Sequence, residues 1–206
     1  MTIAIVDYGV GNLGSIQNML KKLGFQYIIA SHPNSINSAS KLILPGVGAF
    51  DSGMRQLNSS GLRAALDEAV LTRRVPVAGI CLGMQLMTLG SEEGSIPGLG
   101  WISARASRFA PSFGEVLKVP HMGWAHVRQS KSSPVLKLLE GEPRFYFVHS
   151  YRVCCNDRSD ALLTAQHGSV TFDAAFERNN ILGFQFHPEK SHRFGMALLK
   201  AFLSHY

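Results

Sequence analysis

A cysteine flanked by glycines lies where a strand-like segment changes into a helix-like one. The apolar run 75–80 gives way at Cys81 to a helical pattern over residues 82–89, and Gly79 and Gly83 flank the junction. Glycines permit a sharp turn from strand to helix, and the side chain in the middle of such a turn stands exposed. The segment therefore predicts a strand-turn-helix unit with Cys81 as a candidate nucleophile.

The predicted position also favours the thiolate of Cys81. Unpaired N–H groups and the positive end of the dipole at a helix N-terminus stabilise an anion. The alternative is a small buried cysteine packed under a sheet, which is the usual place for an isolated cysteine in an apolar stretch. The flanking glycines weaken that alternative, and partner residues further along the chain reverse it.

Length and composition favour one folded domain over residues 1–206. Hydrophobic residues make up 46% of the 206 residues, and no low-complexity run interrupts them. The first residues indicate a strand, not a signal peptide, and no apolar segment approaches the ~20 residues that span a bilayer. Three cysteines, two of them adjacent, suit neither a disulfide framework nor a metal site. We expect a cytoplasmic protein without a metal or cofactor.

The net charge of +6 does not identify a ligand. Its basic residues are scattered in pairs, and nothing resembles a nucleic-acid-binding stripe with interleaved aromatic residues. The charge fits either an ordinary solvated surface or attraction to an acidic partner protein.

The first half of the chain alternates strand-like and helix-like patterns. Residues 2–7 predict a strand, and apolar residues at helical spacing follow until Gly24. Short strands over 26–30 and 41–44 and an amphipathic helix over 62–70 lead to the strand before Cys81. This alternation predicts parallel strands with helices on both faces.

After residue 101 the extended runs lie closer together, and several should pair antiparallel. They cover residues 101–109, 144–148, 162–166, 174–178 and 181–186, and a final helix lies near residues 195–203. The chain is thus predicted to be an α/β protein with a mixed, mostly parallel sheet. Its chemistry is expected at the carboxyl ends of the strands.

A base and an orienting group for Cys81 are found in one segment. His187 ends a predicted strand, Pro188 stiffens the next turn, and Glu189 could reach the imidazole nitrogen that faces away from Cys81. Alone, the segment could be a surface turn. Because Cys81 is also present, His187 and Glu189 are better interpreted as members of a Cys-His-Glu triad.

Two backbone segments could stabilise an oxyanion. One is the N–H of Leu82, directly after the candidate nucleophile. The other is the glycine-rich loop Gly46-Val47-Gly48 at the end of a strand, although a simple turn into a helix also explains its glycines.

These motifs resemble the class I glutamine amidotransferases, whose fold is a flavodoxin-like α/β sheet. The resemblance runs the full length, and within the family it is strongest to subunits that supply ammonia in histidine biosynthesis. The Cys81 and His187-Pro188-Glu189 motifs mark the superfamily. Narrower motifs are Asp7-Tyr8-Gly9-Val10-Gly11-Asn12 and Pro120-His121-Met122-Gly123-Trp124.

The resemblance implies a glutaminase with Cys81, His187 and Glu189 as its triad. Leu82 and the Gly46-Val47-Gly48 loop would form the oxyanion hole. Glutamine would be held by the side chains of Gln85 and Glu93 and by backbone around His149, Ser150 and Tyr151. An anion for the ammonium group and backbone donors for the carboxylate suit this zwitterion.

The resemblance also implies a partner, because ammonia released into neutral water is protonated and no longer attacks. In the resembled subunits the partner is a (β/α)8 barrel synthase that forms a heterodimer and receives the ammonia through a sheltered channel. The positions matching its interface are Asn12, His121, Met122, Gly123, Trp124, Tyr146 and Lys190. Trp124 and Tyr146 could equally be core aromatics.

One position departs from the pattern. Ala125 stands where the histidine-pathway subunits usually carry Asn, which puts one partner contact in doubt. Paralogous subunits deliver ammonia for an acetamidino surface sugar, and that pathway is the nearest alternative. A cysteine peptidase or hydrolase with the same elbow, and a non-catalytic binding module, are the other classes considered.

Overall fold

The computed structural model describes residues 2–206 and places a nine-stranded sheet at the centre of the chain. Within these residues eleven strands form, nine of them in this sheet. They are β1 (Ile3–Val6), β2 (Tyr27–Ala30), β3 (Lys41–Gly46), β4 (Val77–Cys81), β5 (Ala104–Arg108), β6 (His121–Gln129), β7 (Arg144–His149), β8 (Tyr151–Cys155), β9 (Ala161–His167), β10 (Val170–Arg178) and β11 (Ile181–Phe184).

The central sheet is mixed, as predicted. Its strand order is β2-β1-β3-β4-β11-β10-β9-β6-β7. The strands β2, β1, β3, β4 and β11 run parallel, whereas the remaining pairs are antiparallel. Strands β5 and β8 form a separate antiparallel pair. The α/β fold class is thereby confirmed, and the carboxyl ends of β3 and β4 meet at one edge of the sheet.

Helices cover both faces of the sheet. They are α1 (Leu13–Lys22), α2 (Pro33–Asn37), α3 (Phe50–Ser59), α4 (Arg63–Asp67), α5 (Leu82–Leu86) and α6 (His192–His205), and a wider turn over Glu68–Thr72 continues α4. Alternate residues of β1 serve the two cores: Ile3 and Ile5 pack with α1 and α6, and Ala4 and Val6 pack with α3 and α4. This alternation is the period-2 pattern of a strand buried on both faces.

The structure differs from the sequence prediction at several boundaries. The helix expected over 82–89 ends at Leu86, and the strand expected from residue 101 begins at Ala104. Helices α2 and α3 and strands β6 and β8 were not predicted. Strand β6 lacked a signal because only His121 and Val127 along it are buried. None of the helices within residues 2–206 combines the length and hydrophobicity of a bilayer-spanning segment.

Candidate active site

Cys81 is the last residue of β4 and stands at the turn into α5. Its backbone has φ 54° and ψ −111°, a left-handed φ that residues with a side chain rarely adopt. Gly83 allows this turn, because a Cβ there would collide with the carbonyl oxygen of Leu44 on β3. The close approach of α5 to β3 therefore holds Cys81 in a strained elbow at the carboxyl edge of the sheet.

The glycine-rich loop after β3 begins beside Cys81. Gly46 lies opposite Cys81 in the β3–β4 register, and a Cβ on Gly46 would lie 2.9 Å from the Leu82 Cβ. The loop continues through Val47 and Gly48, which line the same cavity as Cys81, and Gly48 has φ 96°. The N–H groups of the first turn of α5, including Leu82, have no partner within the helix. The four predicted oxyanion-hole residues thus surround one side of the thiol.

Tyr8 holds the start of this loop through a hydrogen bond, a role that the sequence did not suggest. Its hydroxyl donates a hydrogen bond of 2.7 Å to the carbonyl oxygen of Pro45, and its side chain is buried. Burial, together with the nearby Cys81, raises the pKa of Tyr8 well above its ordinary value. The phenol therefore stays protonated and keeps its donor on Pro45.

His187 and Glu189 form a buried pair beside Cys81. The His187 Nδ1 lies 2.7 Å from the Glu189 Oε1, and both side chains are 3% exposed. His187 Nε2 has no hydrogen-bond partner among residues 2–206, and His187 shares its cavity with Cys81. Glu189 thus fixes the ring through one nitrogen and leaves the other available to the thiol.

The surroundings of His187 favour its charged form. Burial disfavours the imidazolium, but the neighbouring Cys81 and Glu189 outweigh burial and raise the pKa of His187 to about 9. An imidazolium next to a thiol stabilises the thiolate, which is the nucleophilic form.

A cavity of about 330 Å³ opens at this edge of the sheet. Its lining includes every residue that the family resemblance implied for glutamine binding: Gln85, Glu93, His149, Ser150 and Tyr151. Glu93 is anchored there, because its Oε2 accepts a hydrogen bond of 2.8 Å from the N–H of Phe50 at the start of α3. A single cavity therefore brings an acid and several backbone groups to the thiol.

Gln185 is a further site residue that the sequence analysis missed. Its Oε1 accepts a hydrogen bond of 3.0 Å from Gln85 Nε2, and its own Nε2 lies 3.9 Å from Cys81 Sγ. The available sequence signal was a polar residue between Phe184 and Phe186, and in the structure Gln185 is fully buried. Gln185 therefore contacts both Cys81 and Gln85 and fixes the position of the Gln85 side chain relative to the thiol.

Most of the residues predicted at the partner interface lie on the surface near this cavity. Trp124 is 44% exposed and Met122 is 62% exposed. Trp124 lies opposite Tyr146 in the β6–β7 register, with ring centroids 6.2 Å apart, and Lys190 Nζ lies 5.9 Å from the Tyr146 ring centroid. Asn12 is exposed and caps α1. The alternative that Trp124 is a core aromatic is wrong, and Tyr146 is only half-buried.

His121 differs from the other predicted interface residues. Its side chain is 6% exposed and stacks on Phe147 and His167, with ring centroids 4.9 Å and 4.3 Å away. Alternation along β6 turns His121 inward where Met122 points outward. The expectation that the His121 side chain faces a partner is therefore corrected: its ring belongs to the interior.

The described residues contain no group of three or more His, Cys, Asp and Glu side chains suited to a metal ion. All three cysteines, Cys81, Cys154 and Cys155, are free thiols.

Comparison with known proteins gives a match over nearly the whole chain. The family model for class I glutamine amidotransferases matches residues 4–205. The chain is 50% identical over 201 residues to "Imidazole glycerol phosphate synthase subunit HisH 2" of Pseudomonas aeruginosa, covering 98% of both proteins. It is 44% identical over 203 residues to the HisH subunit of Leptospira borgpetersenii, covering 98% of this chain and 99% of the relative. A solved glutamine amidotransferase structure shares the fold, with a TM-score of 0.73 at 18% identity over 97% of this chain and 96% of that one.

Proposed function

The chain belongs to the class I glutamine amidotransferase family, and on that premise we propose that it is the glutaminase subunit of an imidazole glycerol phosphate synthase in histidine biosynthesis. It hydrolyses glutamine to glutamate and ammonia. The observation that carries this proposal is the meeting of Cys81, the buried His187–Glu189 pair and the Gln85 side chain around one cavity. The whole chain acts as a single glutamine amidotransferase domain.

The first half of the reaction acylates Cys81. The thiolate attacks the side-chain amide carbon of glutamine, forming a C–S bond and moving an electron pair to the amide oxygen. The N–H of Leu82 and N–H groups of the Gly46-Val47-Gly48 loop stabilise that oxyanion. The His187 imidazolium then donates its proton to the amide nitrogen, the C–N bond breaks and ammonia leaves.

The second half of the reaction releases glutamate. Neutral His187 removes a proton from water, which attacks the glutamyl thioester, and the C–S bond breaks to restore the Cys81 thiolate and the imidazolium. Glu189 keeps the ring in position through both halves. This assignment makes Cys81 the nucleophile, His187 the acid and base, and Glu189 the orienting group.

Recognition of glutamine is assigned to the rest of the cavity. Glu93 supplies the negative charge for the α-ammonium group, and the backbone of His149, Ser150 and Tyr151 supplies polar groups for the α-carboxylate. Gln85, itself held by Gln185, contacts the substrate beside the thiol.

The proposed partner is a (β/α)8 barrel, HisF-like synthase that forms a cytoplasmic heterodimer with this chain. The partly exposed face made of Asn12, Met122, Gly123, Trp124, Tyr146 and Lys190 receives it. Ammonia then passes between the two active sites through a channel sheltered from water, because protonation in bulk water would remove its nucleophilicity. His121 belongs to this face only through its backbone, because its side chain is buried.

A purified-enzyme assay tests the proposal. Glutamine hydrolysis is measured for this chain alone, with a HisF-like synthase, and with the synthase plus its nucleotide ligand. Strong stimulation by the loaded synthase is the expected result. Peptide cleavage without any glutamine turnover would replace the proposal with the hydrolase alternative.

Ala125 supports a second acceptor, the synthetase of an acetamidino surface sugar, because the Asn expected for the histidine pathway is absent. Complementation separates the two pathways. The chain should restore growth of a histidine auxotroph that lacks its own subunit. Failure despite full expression, with intact glutaminase chemistry, would favour the surface-sugar pathway.

A further inference from the structure

A hydrogen-bonded chain of side chains runs from strand β6 to the candidate glutamine cavity. His121 Nδ1 lies 3.0 Å from His149 Nε2, and His149 Nδ1 lies 2.8 Å from the carbonyl oxygen of Tyr151. The same carbonyl accepts a hydrogen bond of 3.2 Å from Gln85 Nε2. Two buried histidines thus end on the backbone group that also holds Gln85.

The protons in this chain have one consistent arrangement. A carbonyl oxygen only accepts, so His149 must carry its proton on Nδ1 and present a lone pair at Nε2. His121 must then donate from Nδ1. Burial, followed by the neighbouring His167, lowers the pKa of His121 to about 4, so a neutral ring is the expected form at neutral pH.

His121, the outer end of this hydrogen-bonded series, lies directly under the face proposed to bind the partner. His121 is opposite His149 in the β6–β7 register, and the next pair is Met122 with Val148. Met122 points to the surface, whereas the Val148 carbonyl oxygen lies 3.9 Å from Cys81 Sγ. A partner that contacts Met122 therefore contacts the strand that carries His121 and can restrain its position.

We propose that His121 is a positioning residue for glutamine: through His149 it fixes the Tyr151 carbonyl and Gln85, and it connects the partner face to the substrate cavity. This inference rests on the proposed glutaminase function. His121 does not touch the reacting atoms. Its effect is expected in substrate binding more than in the chemical step.

The test compares His121→Phe, His121→Asn and His167→Phe in the complex with the barrel synthase. His121→Phe keeps a stacking ring without a donor, and His121→Asn restores a donor near the Nδ1 position. His167→Phe is the matched control. His167 stacks on His121, but its own hydrogen bond is to the Lys118 carbonyl oxygen, which is not part of the series from His121 to Gln85. The readouts are KM and kcat for glutamine and the ammonia-dependent synthase rate.

His121→Phe should raise KM for glutamine about 3- to 10-fold, the effect of one hydrogen bond, with a smaller change in kcat. His121→Asn should recover part of that loss, and His167→Phe should leave KM unchanged. Equal KM in His121→Phe and wild type, or an equal rise in His167→Phe, would overturn the inference. Absence of glutaminase activity in the wild-type complex would overturn the proposed function as well.

A second measurement needs no variant. In ¹⁵N spectra of the imidazole rings of the full chain at neutral pH, His121 and His149 should both appear as neutral Nδ1–H tautomers. An Nε2–H tautomer at either residue would overturn the chain of bonds, even if the His121 variants fail to fold.

Discussion

The backbone N–H of His187 donates a hydrogen bond of 2.9 Å to the carbonyl oxygen of Tyr146. Tyr146 lies opposite Trp124, whose ring is exposed. The base of the proposed triad is therefore attached by main-chain bonding to the strand pair that presents the partner face. Binding a partner at Trp124 can thus restrain the position of His187.

Removal of the Trp124 ring should weaken the complex. Trp124→Ala is expected to raise the Kd for the barrel synthase by about 30-fold, because large exposed aromatics dominate interface energies. Titration calorimetry measures the change. Leu71→Ala is the control, since Leu71 is also 44% exposed but precedes β4 at the opposite edge of the sheet. Equal effects of the two substitutions would exclude Trp124 as an anchor.

Glu189→Gln should slow glutamine hydrolysis by about 100-fold, the size of a general acid–base contribution. The wild-type complex should lose activity as pH rises through about 9, because His187 then loses the proton that it donates to the departing amide nitrogen. Without the carboxylate the pKa of His187 falls, so the loss of activity at high pH should begin at a lower pH in the variant. The measurement is kcat/KM against pH. Glu68→Gln removes an exposed carboxylate that precedes the amino end of β4, whereas Cys81 lies at its carboxyl end. That variant should change neither the rate nor the pH at which activity is lost.

The buried histidines predict acid sensitivity. Burial is the main cause that lowers the pKa of His149 to about 3 and of His121 to about 4. His121, His167 and His187 further lower the pKa of His149, and His167 further lowers that of His121. Both values lie below the ordinary 6.5, so the unfolded chain binds protons first as pH falls. The free energy of unfolding should therefore decrease from pH 6.5 downward, by about 2 kcal/mol or more at pH 4.

Urea unfolding of His149→Phe at pH 7 and pH 4 checks that expectation. The variant should lose less stability between the two values than the wild type does. His32→Asn alters an exposed histidine and should keep the full loss. An identical loss in all three proteins would contradict the assignment.

The tight elbow predicts that Gly46 tolerates no side chain. A Cβ there would lie 2.7 Å from the Gly83 nitrogen and 2.8 Å from the Tyr8 hydroxyl, so Gly46→Ala should destabilise the protein by about 2 kcal/mol. Gly14→Ala is the opposite case, because its Cβ meets only Asn12 Oδ1 at 3.8 Å within α1. That variant should gain about 0.5 kcal/mol. Thermal melting compares the two, and similar shifts would contradict the packing argument.

Local patterns predicted much of the sheet and the candidate site. Cys81, His187 and Glu189 were found because glycine and proline mark their turns, and those turns lie at the carboxyl ends of strands. Gln185 and Tyr8 were missed because their partners, Gln85 and the Pro45 carbonyl, come from distant segments. His121 was misassigned because its motif runs along β6, where neighbouring residues point to opposite faces.

The central claim is that Cys81 attacks glutamine and that the ammonia serves a second active site. Cys81→Ser in the complex with the barrel synthase tests it most directly, with glutamine or an ammonium salt as the nitrogen source. Glutamine-dependent synthase activity should fall by roughly three orders of magnitude or more, whereas ammonia-dependent activity and complex formation should be unchanged. A similar loss of both activities would contradict the account, because Cys81 would then support folding or docking instead of catalysis.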